Sequence, residues 1–272
     1  MYVHSLHIYP VKSLAGHSVT SAETARRGFV DDRRWMLIDE TRRFISQRTQ
    51  PGLCRWQATV KGDDLELRQL DTGKVLIIPN AKDEEGEWIN VQVWHDTFKA
   101  RLVRGAEPQL LTGCFGFDCR LVYLATDSYR PLDENYAKAG EEVSFADGFP
   151  YLIANTASLD DLSERYGHSL STERFRPNIV VAGHQAFAED QWQQLKIGES
   201  LFRLPKACSR CTMVTIDPQK NTNDPEVFAT LANYRKQDRK VLFGMNACWE
   251  GQGTAVLRVG DKVVVCCWRA CF

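Results

Sequence analysis

Two thiols and a guanidinium lie within four residues in the segment Cys208-Ser209-Arg210-Cys211. A C-x-x-C pair of this kind is compatible with a structural zinc site, with a thioredoxin-like redox pair and with binding of a soft metal by thiolate sulfur. It is also compatible with two small, buried side chains that carry out no chemistry. The residues around the pair must therefore decide between these interpretations.

The context of the pair weakens two of the interpretations. A zinc ribbon needs a second pair of ligands at short spacing, which neither the three cysteines after position 265 nor the six histidines provide. A thioredoxin-like cysteine begins a helix, whereas β-branched residues alternate from Thr212 to Ile216 as they do in a strand. We therefore expect a strand after Cys211, with Arg210 on the face opposite to Ser209 and Cys211. A thiolate beside a cation and a hydroxyl suits a soft metal with an anionic cofactor.

The elements that would hold these residues are mainly strands. Short apolar or alternating runs predict strands at Tyr2 to Tyr9, Trp35 to Ile38 and Val75 to Ile78. Two further strands, each of at least three residues, should flank the turn Lys61-Gly62-Asp63-Asp64. The pattern of residues 256–268 predicts another hairpin, around Gly260.

Two helices are predicted in the second half of the chain. Ser158 can cap a helix over residues 159–166 that ends at Gly167. Asp224 can cap another, with Pro225 at the first helical position. Strands with a few helices predict a mainly β or α+β fold that contains a β-barrel and a β-rich N-terminal part.

The composition is that of an ordinary globular protein, with 43% hydrophobic and 25% charged residues. The formal net charge of −1 gives no overall reason to expect nucleic acid or a membrane as a partner, although a local basic pocket would not show in that sum. We find no apolar run long enough to span a membrane and no signal-peptide pattern at the N-terminus. Nine cysteines scattered along 272 residues favour reduced thiols and a cytoplasmic location.

One polar, proline-containing stretch, Asp127 to Glu142, is a candidate boundary between two parts of the chain. We therefore predict an N-terminal part over residues 1–125 and a second domain over residues 126–272. The functional residues are expected to come from both sides of this boundary.

Several sequence blocks resemble the MOSC family, which is named for the C-terminal part of molybdenum cofactor sulfurase. The closer likeness is to its two-part members, the amidoxime-reducing components and their bacterial relatives, in which a β-barrel part precedes the MOSC domain. The blocks occur in the family's order and extend over nearly the whole chain: Tyr9-Pro10-Val11-Lys12-Ser13, Asp32-Arg33-Arg34-Trp35, Ala157-Ser158-Leu159, Phe175-Arg176-Pro177-Asn178-Ile179-Val180, Glu189-Asp190-Gln191-Trp192 and Lys206-Ala207-Cys208-Ser209-Arg210-Cys211-Thr212.

The resemblance implies that a molybdenum pyranopterin cofactor binds between the two parts. Cys211 would be the molybdenum ligand and the catalytic residue, with Cys208 as an accompanying thiol. Cationic side chains recognise the phosphate of such a cofactor through charge-assisted hydrogen bonds, and a helix start at Ser158 could offer backbone N–H donors. The cofactor contacts that the family pattern implies are Lys12, Arg33, Ser158, Arg176, Asn178, Ser209 and Arg210.

The activity that the resemblance implies is reduction of small N-hydroxylated compounds, namely amidoximes, hydroxylamines and N-hydroxylated bases. Many bacterial relatives continue into a ferredoxin-like domain, but the C-x₄-C-x₂-C spacing of its cluster is not found here. We therefore expect a separate flavin, iron–sulfur or haem protein to supply electrons. Pyridoxal phosphate binding is a further property associated with the family. The alternative function is a carrier of the molybdenum cofactor, or a sulfur-transfer module, without reductase activity.

Overall fold

Strands make up most of the regular structure, because β-branched and aromatic residues alternate with polar ones along much of the chain. The computed structural model describes residues 1–269, of which strands account for 42% and helices for 17%. The prediction of a mainly β protein with a few helices is confirmed. Cys271, one of the cysteines considered above as a zinc ligand, lies outside the described residues.

The regular elements are numbered in chain order. The strands of the first part are β1 (Tyr2–Ile8), β2 (His17–Val19), β3 (Ser21–Ala25), β4 (Gly28–Phe29), β5 (Trp35–Ile38), β6 (Trp56–Lys61), β7 (Asp64–Gln69), β8 (Val75–Ile78), β9 (Trp88–Val93), β10 (Asp96–Leu102) and β11 (Arg120–Tyr123). Those that follow are β12 (Tyr151–Asn155), β13 (Ile179–Ala182), β14 (Trp192–Ile197), β15 (Ser200–Arg210), β16 (Ile216–Asp217), β17 (Thr222–Asn223), β18 (Lys236–Gln237), β19 (Lys240–Trp249), β20 (Ala255–Arg258) and β21 (Val263–Trp268). The α-helices are α1 (Pro108–Phe115), α2 (Thr156–Tyr166) and α3 (Pro225–Arg235), and short 3₁₀ helices cover Pro51–Arg55, Thr172–Arg174, Ala188–Gln191 and Thr212–Thr215.

A large sheet joins the start of the chain to its second half and curls into a half-barrel. Its strand order is β2-β1-β13-β12-β19-β15-β14-β21, and β18 pairs with β19 at one end. β1 runs antiparallel to β13, so N-terminal residues pack in the same core as the later strands. That core includes Val3, Ile153, Leu204 and Met245, none of which has exposed surface. The stretch before residue 125 is therefore bound directly to the sheet that carries the C-x-x-C segment.

A second core lies in the first part of the chain. The sheets β6-β7-β8 and β5-β11-β10-β9 bury Trp35, Leu65 and Leu121, with Trp35 Nε1 donating to the carbonyl of Ala81 at 2.7 Å. The predicted hairpin around residues 61–64 is confirmed, with Lys61 paired to Asp64. The division of the chain at residue 125 stays a prediction.

The predicted hairpin over residues 256–268 is wrong. Two strands, β20 and β21, do form on either side of Gly260, but they pair with different partners, β3 and β14. The intervening segment instead contacts the N-terminal strand, where Gly260 N donates to Val3 O at 2.8 Å. A local sequence pattern predicts strands and a turn, but it does not reveal which distant strand forms the backbone hydrogen bonds with each of them.

The helix predictions are correct except for one cap. α2 begins at Thr156, and Asn155 rather than Ser158 is its N-cap, accepting from Ala157 N at 3.2 Å. Gly167 ends α2 in the left-handed conformation as expected, at φ 86°. Asp224 caps α3 by accepting from Glu226 N at 3.1 Å.

The strand predicted after Cys211 is also wrong over residues 212–215, which form a 3₁₀ helix, and the short strand β16 begins at Ile216. The guanidinium of Arg174 donates to the carbonyls of Val214 and Thr215, at 3.2 and 3.1 Å, and these bonds replace a strand ladder. The thiol pair therefore lies at the end of a long strand, β15, rather than at the start of one. Within residues 1–269, no helix combines the length and apolar character that crossing a membrane requires.

The long connection between β11 and β12 is anchored by Arg130, which is 2% exposed. Its Nε and Nη2 contact Asp96 Oδ2 at 2.9 and 2.8 Å, and its Nη1 donates to Ser144 O at 2.9 Å. A further bond from Nη2 reaches Asp147 O at 3.2 Å. Arg130 thus fixes the backbone of a segment that contributes to the site described below.

Replacement of Arg130 by methionine should lower the free energy of unfolding by about 2–4 kcal/mol, since buried carbonyls and a carboxylate lose their donor. Urea denaturation followed by tryptophan fluorescence measures the change. The matched control is Arg165→Met, because Arg165 is exposed and its pair with Asp161 is solvated, so no measurable loss is expected. Equal losses in the two variants would contradict the anchoring role.

Candidate functional site

One cavity between the half-barrel and the first part of the chain collects most of the predicted site residues. Its lining contains seven of the eight, namely Lys12, Arg33, Arg176, Asn178, Ser209, Arg210 and Cys211. Ser158 does not line it. Residues from before and after position 125 contribute to the cavity, as expected.

Ser158 has a structural environment instead. The side chain is fully buried. Its hydroxyl donates to Glu189 Oε1 at 2.6 Å and accepts from Phe187 N at 2.7 Å. Burial raises the pKa of the Glu189 carboxyl, which Asn155 also contacts at 3.2 Å. These bonds join the start of α2 to the turn that precedes β14, and they use the hydroxyl's single donor and one of its two acceptor positions.

The two thiols contact different arginines. Cys211 lies just beyond β15, and its Sγ is 3.8 Å from Arg48 Nη1. Cys208 lies within the strand, and Arg210 Nη1 donates to its Sγ at 3.1 Å. Arg210 therefore turns towards Cys208, two residues back on the same strand face, and its Nη2 donates to Phe175 O at 2.8 Å.

A buried hydrogen-bond network holds Arg33 in place. Its backbone is in the left-handed region, at φ 51°, and its Nη1 donates to Asp32 Oδ2 at 2.7 Å and to Asn178 Oδ1 at 3.0 Å. Its Nη2 donates to the carbonyl of Arg176 at 3.0 Å. Asn178 in turn donates to His7 O at 3.3 Å and accepts from Leu152 N at 3.2 Å. Arg33 and Asn178 thus connect three separate segments.

The ring of Tyr9 contacts two of the cavity's guanidiniums. Arg33 and Arg176 each lie 4.3 Å from the centroid of its ring, one contact per guanidinium. Burial, followed by the Arg33 charge, lowers the pKa of Arg176 to about 10, so this side chain remains charged at neutral pH. Its Nη1 donates to Leu14 O at 2.6 Å.

Lys12 and Asp147 form an ion pair in the cavity wall, with Nζ 2.6 Å from Oδ1. Nζ also donates to Phe145 O at 2.8 Å. Burial lowers the pKa of Lys12 to about 8, although Asp147 opposes the change. The surrounding protein would raise the pKa of Asp147, but the Lys12 ammonium and a bond from Trp94 Nε1 hold it below its usual range.

Sequence reasoning missed Phe44, Arg48, Trp94 and Asp147. No motif marks them, because they come from turns and connections whose positions depend on the tertiary fold. Arg48 follows the buried residues Ser46 and Gln47, and Trp94 is the turn residue between β9 and β10.

The lining of the cavity is strongly cationic. Within the described residues it has one carboxylate, Asp147, against five cations: Lys12, Arg33, Arg48, Arg176 and Arg210. Arg210 Nε is buried and has no partner among these residues. Guanidiniums with unused donors suit an anionic, phosphate-bearing group.

A metal at this site would have few protein ligands. In residues 1–269 no three His, Cys, Asp or Glu side chains are grouped in a way that could hold a metal ion. The sulfur of Cys211 is nevertheless a suitable single ligand for a soft metal whose other ligands belong to a cofactor. The donor set therefore fits a metal bound within an anionic cofactor.

Two domain families match the chain in sequence. Residues 1–117 match the MOSC N-terminal beta barrel domain, and residues 140–264 match the MOSC domain. Mitochondrial amidoxime-reducing component 1 of Mus musculus is 32% identical over 279 residues, which cover 96% of this chain and 81% of that protein. The chain belongs to the MOSC family.

Further relatives of this MOSC protein include a second amidoxime reducing component and a molybdenum cofactor sulfurase. Mitochondrial amidoxime reducing component 2 of Homo sapiens is 32% identical over 283 residues, or 96% of the MOSC chain and 82% of the relative. Molybdenum cofactor sulfurase of Arabidopsis thaliana is 26% identical over 298 residues, and the match covers 94% of the MOSC chain but 35% of the sulfurase. Family membership is thus confirmed, whereas pyridoxal phosphate binding gains no support.

Sulfate can serve as a simple anionic probe of the cationic cavity. Its binding should weaken as the pH rises through about 8, because Lys12 is charged below its pKa and neutral above it. Sulfate stays a dianion across this range, so its own charge does not change. Titration calorimetry between pH 7 and pH 9.5 measures the effect. Lys12→Arg should remove the dependence, and the exposed control Lys99→Gln should retain it. A dependence that persists in Lys12→Arg would contradict the assignment.

Proposed function

We propose that this MOSC protein is a molybdenum-cofactor-dependent reductase of N-hydroxylated compounds. The observation that carries the proposal is the thiol of Cys211 in a cavity lined by five cations. This arrangement suits a soft metal in an anionic cofactor, and the reaction is proposed from the names of two relatives, both amidoxime-reducing components. For an amidoxime, the reaction consumes two electrons and two protons, breaks the N–O bond, and releases an amidine and water.

The residues of the chain would bind and orient rather than transfer protons. Cys211 would provide the protein's sulfur ligand to the metal. Arg176, Arg210 and Ser209 would hold the anionic part of the cofactor, with Arg33 and Asn178 fixing the wall behind it. The cofactor, when bound, would supply the two-electron chemistry of N–O cleavage.

Electrons would come from a separate protein. The relatives are named components, which is consistent with a reductase that works together with a donor. Cys211 is partly exposed at the cavity, so an electron path from the molecular surface to this residue would be short. A flavin, iron–sulfur or haem protein would each be suitable as the donor.

A carrier or sulfur-transfer function is the second candidate, supported by one relative and by the surroundings of Cys208. The match to a molybdenum cofactor sulfurase suggests a carrier or sulfur-transfer role, in which Cys211 would hold the cofactor or a persulfide. Cys208, whose Sγ accepts from Arg210, would then be a nearby second thiol. The two functions differ in whether the loaded protein turns over an N-hydroxylated substrate.

Protein made in a host that synthesises the cofactor should contain molybdenum and reduce benzamidoxime with an artificial electron donor. Cys211→Ala should reduce both metal content and turnover to background, because the sulfur ligand is lost. Cys208→Ala should keep the metal, and Cys114→Ala, away from the cavity, serves as the control. Metal analysis and chromatographic detection of benzamidine provide the two measurements.

The other outcomes separate the alternatives. Metal without turnover in the unmodified protein would favour the carrier. Sulfane sulfur on Cys211 in metal-free protein would favour sulfur transfer. Retention of metal by Cys211→Ala would contradict the ligand assignment itself.

A further inference from the structure

A cluster of one cation and two aromatic rings at the cavity has no role in the function described so far. It consists of Phe44, Arg48 and Trp94, and we call it the Arg48 cluster. The Arg48 guanidinium lies 4.4 Å from the Trp94 ring centroid and 5.6 Å from that of Phe44. The two rings contact each other edge-on, with centroids 5.2 Å apart. Cation–π stacking therefore holds the guanidinium where a carboxylate would usually do so.

Arg48 differs from the other cavity cations in how its donors are used. Lys12 is paired with Asp147, Arg33 with Asp32, and Arg176 and Arg210 donate to main-chain carbonyls. Within the described residues, the side chain of Arg48 has one hydrogen-bond acceptor, the sulfur of Cys211 at 3.8 Å, and forms no ion pair. Most of its N–H donors thus remain available to a ligand.

The backbone that carries Arg48 is well fixed. Ile45 N donates to Leu37 O at 2.9 Å, and the buried side chain of Gln47 donates to Ser13 O at 2.7 Å. Gln50 N donates to Ser46 O at 2.9 Å. Since both the loop and the stacked guanidinium are held, the donors are positioned before any ligand arrives, which lowers the entropic cost of binding.

The one carboxylate close to the cluster forms no ion pair with Arg48, although the Arg48 charge helps to lower the pKa of that carboxyl. Asp147 accepts from Lys12 Nζ at 2.6 Å and from Trp94 Nε1 at 3.2 Å, so its charge is shared with the ammonium. The space beside Cys211 therefore faces a planar cation with unused donors. Such a surface attracts planar groups that carry oxygen or nitrogen acceptors, and it repels cations.

We propose that Arg48 is a substrate-binding residue that favours neutral, acceptor-bearing N-hydroxylated groups and disfavours the cationic amidine product. This inference rests on the proposed reductase function, because it assigns the substrate of the same site. A neutral amidoxime offers oxygen and nitrogen acceptors to the guanidinium. An amidine is a strong base and is protonated at neutral pH, so it offers no acceptor and is repelled. The Arg48 cluster would thus promote both substrate binding and product release.

The test measures binding without turnover. Equilibrium dialysis of benzamidoxime and of benzamidine against oxidised, cofactor-loaded protein gives both dissociation constants in the absence of any electron donor. Arg48→Gln should weaken benzamidoxime binding by about tenfold to a hundredfold, the range for loss of a hydrogen bond to a charged group. Benzamidine binding should stay the same or become tighter. Arg48→Lys should lie between, because charge is kept but the planar donor array is lost.

Two further variants control for indirect effects. Arg42→Gln removes an exposed cation from the turn that follows β5 and should change neither constant. Trp94→Leu removes the stacking platform and should weaken benzamidoxime binding by several-fold, while Trp94→Phe should restore most of the affinity. Metal content, measured for every variant, shows whether cofactor loading is intact.

The results distinguish this inference from the proposed function. If the unmodified protein binds benzamidoxime in an Arg48-dependent way but does not reduce it, the inference holds and the reductase proposal fails. If it reduces benzamidoxime and Arg48→Gln leaves KM and inhibition by benzamidine unchanged, the inference fails and the reductase proposal holds. Absence of benzamidoxime binding, or an equal effect of Arg42→Gln, would also overturn the inference.

Discussion

Asp32 is a carboxylate without exposed surface, and the geometry of the site depends on how its charge is satisfied. One oxygen accepts from Tyr9 N at 2.8 Å and the other from Arg33 Nη1 at 2.7 Å. Arg33 then reaches Asn178, which contacts the backbones of β1 and β12. Removal of either charge would leave the other buried and unpaired, at a cost of about 3–5 kcal/mol. The ion pair between these adjacent residues fixes Arg33, and the hydrogen bonds of Arg33 to Asn178 and to the carbonyl of Arg176 connect the first part of the chain to the second.

The same network explains how several like charges can share one small space. Arg33 is neutralised by Asp32, and the Tyr9 ring lies against the guanidiniums of both Arg33 and Arg176. Lys12 is likewise paired with Asp147. The positive charge that remains, chiefly on Arg48, Arg176 and Arg210, is not compensated within the described residues. An anionic ligand would supply that compensation and would add to the stability of the fold.

Much of the fold could be predicted from the sequence, and seven of the eight predicted site residues line one cavity, although their roles stay predictions. Local chemistry determines the helix ends at Asp224 and Gly167 and the hairpin around Gly62, so these predictions are correct. The segment around Gly260 depends on hydrogen bonds to N-terminal residues, and the turn after Cys211 depends on hydrogen bonds from Arg174. Local sequence patterns do not contain these distant partners. Arg48 and Asp147 belong to no motif, and only the tertiary fold places them beside the cavity.

The 3₁₀ helix after Cys211 places the two thiols in different environments. A continuing strand would have kept Cys208 and Cys211 on opposite faces of one sheet, since side chains alternate along a strand. The strand instead ends at Arg210, before the 3₁₀ helix, so the direction of the Cys211 side chain is not set by the alternation along β15. The sulfur of Cys211 lies near Arg48 of the first part. Cys208 stays within β15, where Arg210 occupies its sulfur. The two neighbouring thiols thus have different surroundings: Cys208 contacts Arg210 of its own strand, and Cys211 contacts Arg48 of the first part.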